Sequence, residues 1–374
     1  CIMLDFTPVT DQFGDVGAAV VIGALVGGEF GIAAQRSRFC LRAAVEEVGR
    51  KDYRGQLGIW LAGFGAAIIA TQYLVAGDLV ETIAVRPLNE AVSLSGAIVG
   101  GLVFGIGMML ANGCASRHLV LAGAGNLRAW AVFALFAVTA WATISGPLAP
   151  AREAIAGAWR TSAEHAHGLG LVGHGAATGM ALGLVLLGLG IWFAWRGQRS
   201  VTRIGSALAV GLVIAAGWYL TTGLSRHSFD PTPVESTAFT APAAHVVAML
   251  LGVGEVPLGF DTGFVPAVLL GALLAAAVSN EFRLQWVASA VSATRYGAGA
   301  VMMGFGGVLA IGCSVGGVAN AALMISASLL ALGAMWVGGL VAERILRSDW
   351  SAARESYEGA TTPGAQPSAR SLPF

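Results

Sequence analysis

Gly105-Ile106-Gly107-Met108-Met109-Leu110-Ala111-Asn112-Gly113-Cys114 returns 199 positions later as Gly304-Phe305-Gly306-Gly307-Val308-Leu309-Ala310-Ile311-Gly312-Cys313. Six of the ten positions are identical in register: two glycines, a Leu-Ala pair and the closing Gly-Cys. Each copy is an apolar, glycine-laced run that stops at Gly-Cys and is followed by a second, shorter apolar run. A chain that carries the same broken helix twice is constrained to a duplicated architecture, with its site where the two breaks meet.

The solvent for such helices follows from composition. Mean hydropathy is +0.74, and only 11% of the 374 residues are charged, against about 25% in a soluble domain. The chain reads as an all-α membrane protein. Its 53 glycines and 12 prolines suit close helix packing and interrupted segments. The formal net charge is zero, which gives no sign of a nucleic-acid partner. Cys1, Cys40, Cys114 and Cys313 include no C-x-x-C pair and match neither a zinc site nor a disulfide framework. Neither a cofactor nor a metal is expected, and no catalytic residue. Cys1 to Asp15 lacks a basic leader and reads as carrying no cleavable signal.

A span needs about 20 mostly apolar residues. Nine stretches qualify: 16–34, 56–75, 95–111, 127–144, 174–195, 204–220, 260–279, 296–310 and 324–346. The third and eighth are short because each runs into a Gly-Cys break. Four further segments, Phe39–Val48, Ala115–Gly123, Pro242–Gly252 and Ser314–Ala322, are too short to cross and read as re-entrant half-helices. Non-helical backbone at that depth is tolerated where it is buried or lines a cavity. With the N-terminus outside, 17 of the 21 Lys and Arg residues fall in inner loops and four, Arg86, Arg152, Arg160 and Arg226, in outer ones. That is a positive-inside bias, and it places the C-terminus in the cytoplasm.

Four spans, a linker span and four more spans turn the second copy upside down. The expected plan is an inverted-repeat permease of about nine transmembrane helices plus four half-helices. Residues 16–145 form the first repeat and 146–203 an outer loop, with His165 and His167, plus the linker span. The second repeat is 204–346, followed by a disordered cytoplasmic tail over 347–374.

Three cysteines sit at or beside half-helix starts. Free N–H groups and a partial positive charge there attract anions. A thiol in that setting donates a weak S–H bond, or ionises beside a cation. One cysteine in a membrane helix is ordinarily a small packing residue; three at related breaks point to a pathway. The position equivalent to Cys40 in the second copy is Phe239, so Ser236, Thr237 and Thr240 stand in place of a fourth thiol. Asn112 and His118 flank Cys114 and can line the path, or serve as cap and loop partners. Glu29, the only charge deep in a span, is either functional or paired with an arginine of the Arg36–Arg42 group. Arg117, Asn126 and Arg128 fit the positive-inside rule.

At these motifs the sequence resembles the YeeE/YedE sulfur-transport family of bacterial thiosulfate-uptake permeases. The matching residues are Gln35-Arg36-Ser37-Arg38-Phe39-Cys40, Gly105-Ile106-Gly107 through Asn112-Gly113-Cys114-Ala115-Ser116, Asn280-Glu281-Phe282-Arg283, and Met303-Gly304-Phe305-Gly306 through Gly312-Cys313-Ser314-Val315-Gly316. The resemblance covers residues 20 to 345 and implies an hourglass-shaped, multi-pass permease of the inner membrane. It implies thiosulfate, or a related sulfur anion, handed between Cys40, Cys114 and Cys313. Gly113, Gly312, Asn112, Ser116 and Ser314 complete the candidate substrate-binding set. The family pattern often has two glycines before the pore cysteine. Here Asn112 adds a polar group and Ile311 narrows the break. A cytoplasmic sulfurtransferase of the TusA type is the implied partner.

Rival readings are another sulfur or selenium anion on the same path, and a membrane thiol oxidoreductase. The latter needs closely spaced cysteine pairs, which the sequence lacks. A copper carrier would need Met and Cys clusters, and helix packing accounts better for Met108-Met109 and Met302-Met303.

Overall fold

In a computed structural model the protein is described over residues 7–85, 88, 92–161, 175–228, 232–253, 258–285 and 290–360. In chain order the helices are α1 (Thr7–Ser37), α2 (Leu41–Arg50), α3 (Gln56–Ala76), α4 (Leu94–Leu110), α5 (Ala115–Gly123), α6 (Leu127–Ile144) and α7 (Ala149–Gly157). They continue with α8 (Gly175–Arg196), α9 (Val201–His227), α10 (Thr240–Leu251), α11 (Phe260–Val278), α12 (Ala290–Leu309), α13 (Ser314–Ala322) and α14 (Ser326–Ala360). No strand occurs among the described residues, and nine helical stretches there are long and apolar enough to cross a membrane.

Two half-helices coincide with their sequence bounds, and the other two are displaced by a few residues. Two stretches differ from expectation. The outer loop contains α7, started by Pro150 in the first turn, while His165 and His167 lie outside the described residues. The last helix continues to Ala360, into the stretch expected to be a disordered tail. Its sequence there is Ser-Ala-Ala-Arg-Glu-Ser-Tyr-Glu-Gly-Ala, mostly competent helix formers. Residues 361–374 lie outside the described residues.

Helices 1–6 and 9–14 follow the same order of long, half and long segments, and the backbone repeats its turns in the same register. Asn112 and Ile311 take φ of 61° and 59°, and Gly125 and Met324 take 93° and 62°, each pair 199 positions apart. The long helices pack mainly across the two halves: α1 on α11, α9 on α3, α4 on α14 and α12, and α6 on α12. α8 packs along α3.

These crossings are made of glycine. In lipid no hydrophobic force drives helices together, so small residues that let backbones touch decide the contact. A Cβ at Gly107 of α4 would stand 2.8 Å from the Gly299 carbonyl of α12, and one at Gly306 of α12 would stand 2.7 Å from the Gly100 carbonyl. Gly23, Gly27 and Gly31 of α1 lie in the same way on the backbone of Phe260, Phe264 and Val268. Around the crossings, fully buried Phe30, Phe104, Phe136, Phe239 and Phe264 fill the interior.

Overpacking an ordinary core costs about 1–3 kcal/mol, and here the clash is with backbone that cannot rotate away. Gly299→Leu is therefore expected to abolish the monodisperse, detergent-soluble protein. Gly188→Leu, at an exposed α8 position with nothing within 4 Å of an added Cβ, should leave it unchanged. Size-exclusion chromatography of both variants checks the contrast; equal recovery would remove the glycine crossings as the determinant.

Candidate functional site

Three cysteines occupy the N-cap positions of half-helices: Cys40 before α2, Cys114 before α5 and Cys313 before α13. Three other helices, α4, α6 and α9, are capped in the ordinary way, while α3, α7 and α10 have no side-chain cap bond. Ser93 accepts from Gly96 N, Asn126 from Ala129 N and Ser200 from Arg203 N. None of the three thiols makes a hydrogen bond of full cap geometry, although the backbone of the third residue of each half-helix, Ala43, Arg117 and Gly316, lies beside its sulfur.

The fold brings two of the thiols together. Cys40 Sγ lies 3.9 Å from Cys114 Sγ, and Cys114 Sγ lies 3.3 Å from Ser116 Oγ, all buried. This corrects the expectation that the chain lacks a close cysteine pair. The partners are 74 residues apart, and the pair exists only because the α1–α2 break is packed beside the α4–α5 break. All three thiols are free.

Cys313 is fully buried, with the backbone of Phe239 beside its sulfur. Phe239 holds the N-cap of α10, and its ring packs with Phe30 and Phe264 at centroid distances of 5.3 and 5.2 Å. Where the first half has a thiol, the second has an aromatic plug. Ser236 donates to the Ile214 carbonyl at 2.6 Å and is thereby committed to structure. Thr237 Oγ1 and Thr240 Oγ1 are buried without a partner among the described residues. Ser314, like Ser116, is buried in the first turn of its half-helix.

The residues before the thiols shape the breaks. Ile311 is β-branched and held at φ 59°, a conformation such residues rarely adopt. Its carbonyl accepts from Asn320 Nδ2 at 3.1 Å, which pins the turn from within α13. Sequence reasoning missed Asn320, because only the folded half-helix carries it back to the turn. Asn112 adopts the same φ with less strain, since asparagine tolerates it. Gly113 is closely covered: a Cβ there would lie 3.0 Å from His118 Nε2. His118 is buried, with neither ring nitrogen hydrogen-bonded among the described residues.

Glu29 does not join this group. It is exposed on α1 and makes no ion pair among the described residues. Arg42 instead pairs with Glu46 at 2.8 Å. At the arginine-rich end two buried carboxylates are fully used. Glu47 accepts from Gln56 N and Leu57 N at the start of α3, and Glu343 from Arg50 Nε at 2.8 Å. Among the described residues no three His, Cys, Asp or Glu side chains gather as a metal-binding group.

Among the described residues, nine apolar helical stretches, interrupted at paired breaks where buried thiols start half-helices, define a multi-pass membrane protein of the kind that transporters are. The chain belongs to the sulphur-transport family, whose profile matches residues 36–341. It is similar to the thiosulfate transporter TsuA of Spirochaeta thermophila, with 28% identity over 313 residues, 79% of this chain and 88% of that protein. It is also similar to the thiosulfate transporter TsuA of Escherichia coli, with 24% identity over 323 residues, 79% of this chain and 86% of that protein.

The 3.9 Å separation has a direct chemical test. Mild oxidation of the purified protein should join Cys40 to Cys114 and leave Cys313 free, read by peptide mass spectrometry without reduction. A Cys313-containing disulfide as the main product would contradict the arrangement.

Proposed function

We propose that this protein imports thiosulfate across the bacterial inner membrane, with its N-terminus outside and its C-terminus in the cytoplasm. Residues 16–145 and 204–346 act as inverted repeats around the linker 146–203, so that the Cys114 and Cys313 breaks approach the midplane from opposite faces. The observation that carries the reading is the placement of Cys40, Cys114 and Cys313, all buried, at the N-cap positions of three half-helices. The names of the two similar transporters support the choice of ion.

Thiosulfate is a dianion with one soft terminal sulfur and three hard oxygens. Moving such a charge into a dielectric of about 4 costs tens of kcal/mol unless donors replace its water. The first-turn N–H groups of α2, α5 and α13 suit the oxygens, and the thiols suit the sulfur. Gly113 and Gly312 add no side chain of their own to the approach, with the His118 ring lying over Gly113, while Asn112, Ser116 and Ser314 add polar groups beside it. The ion leaves toward a cytoplasmic sulfurtransferase of the TusA type.

A thiolate at each position would repel the dianion, and the apolar walls would strengthen that repulsion. The working form is therefore the neutral S–H, donating to the terminal sulfur and releasing it with no bond exchanged. Cys→Ala at 40, 114 or 313 should lower uptake of labelled thiosulfate at least about tenfold, the effect of losing about 1.4 kcal/mol of stabilisation along the path. Cys→Ser should retain more than Cys→Ala, because a hydroxyl still donates. Full uptake by the triple alanine variant would end the thiol-path reading. A cysteine persulfide trapped during turnover would replace hydrogen bonding with covalent transfer. Competition by sulfate, sulfite and selenite in the same assay tests the ion.

A further inference from the structure

Below the Cys40–Cys114 pair, at the arginine-rich end, lies a cavity of about 390 Å³. Arg38, Arg117, Glu281 and Arg283 supply its charges, and Gln35, Asn126, Asn280 and Gln285 its amides. Two of the amides are bonded to each other, Asn126 Nδ2 to Gln285 Oε1 at 2.7 Å. Glu281 is also committed: it accepts from Gln35 Nε2 at 2.9 Å and pairs with Arg38 at 3.4 Å. Three guanidinium groups therefore face one carboxylate, and that carboxylate is already shared by Arg38 and Gln35.

Arg117 is left over. It follows Cys114 by three residues on α5, which puts it one helical turn further along the same half-helix. Its Nη1 is buried and has no hydrogen-bond partner among the described residues. A guanidinium nitrogen out of water and without an acceptor is costly. An excess cation in a low-dielectric recess also concentrates anions. The positive-inside rule accounts for an arginine at this end of the bundle, but not for one turned inward beneath two thiols without an acid.

We propose that this vestibule is an anion-receiving site in which Arg117 binds the oxygens of a small sulfur oxyanion after it leaves Cys40 and Cys114, with the Arg38–Glu281 pair as the rim. The site rests on the transport reading above for its physiological ion. Its chemistry is that of a tetrahedral oxyanion, which the sulfonate end of thiosulfate and free sulfate both present. The rim pair is half exposed, at 46% and 41% of side-chain surface, so an ion held at Arg117 has a short way to water. Release then needs Arg38 and Arg283 to remain weaker attractors than bulk solvation, and Glu281 supplies the negative charge that keeps them so.

A reporter inside the vestibule tests this without requiring transport. Leu121 lines the cavity, and L121C can be modified in detergent by methanethiosulfonate reagents carrying either a sulfonate or a trimethylammonium group, with adducts counted on the L121C peptide. With Arg117 present, the sulfonate reagent should react faster than the ammonium reagent. Thiosulfate, sulfate or both should slow it. R117Q should lower the anionic-to-cationic rate ratio at least about fivefold, the effect of one charge a few ångströms away, and R117K should restore most of it. An unchanged ratio in R117Q would overturn the site. So would failure of both ions to slow modification of the L121C protein that keeps Arg117, a measurement independent of how R117Q folds. In uptake assays R117Q should import thiosulfate more slowly than R117K. If the unsubstituted protein moves no thiosulfate, the transport reading fails, while the reporter ratio still decides the vestibule. Protection by thiosulfate alone marks a site selective for the transported ion; equal protection by sulfate marks a general oxyanion site.

Discussion

The structure depends on helix backbones touching at glycine. Water drives soluble helices together, but a bilayer does not, so van der Waals contact between close backbones has to hold these helices. Gly100 and Gly107 against Gly299 and Gly306 do so at the α4–α12 crossing. That crossing also places the two Gly-Cys breaks, because α4 and α12 are the helices that end at them. Had they been spaced by larger side chains, the half-helices α5 and α13, which touch in this fold, would stand apart.

The same economy appears at the breaks. A helix N-terminus is an anion site only while its amides are free, and the usual capping residues would occupy them. Ser93, Asn126 and Ser200 do so where a helix merely begins. At α2, α5 and α13 a cysteine stands in that place and makes no bond of full cap geometry. A thiol is a weaker acceptor than a hydroxyl or an amide oxygen, so it holds those amides less firmly. The left-handed residues Asn112 and Ile311 complete the device by turning the chain sharply enough to expose the break.

Much of this was legible in the chain itself. Apolar runs and their interruptions gave the spans and half-helices to within a few residues in most cases, because burial of backbone in lipid leaves helices as the only choice. The repeat by itself marks both breaks. Contacts between distant segments were not legible. Cys40 and Cys114 could be assigned to one path, but not brought to 3.9 Å of each other, and Arg117 was one arginine among many that obey the charge rule. Glu29, deep in a span, read as either a functional residue or the partner of an arginine in the Arg36–Arg42 group, yet depth along a helix says nothing of which way a side chain faces. Helix α7 was lost in a stretch read as loop from its prolines, although Pro150 sits in the first turn, where proline is well tolerated.

The long helices of each half lie mainly against the other half: α1 on α11, α9 on α3, α4 on α12 and α14. Two halves interlocked in this way are not separable blocks. Tilting one against the other would shear the glycine contacts that hold both, so alternation by rocking rigid bundles is mechanically disfavoured in this architecture. The bonds from Arg283 N to Ala124 O and from Gln285 N to Gly125 O add a further tether, fastening the turn after α5 to the segment after α11. The segments outside these helix-to-helix contacts are small by comparison: the few residues at each break. Passage through this molecule is accordingly a matter of local yielding in a fixed frame, more like a turnstile than a rocking gate.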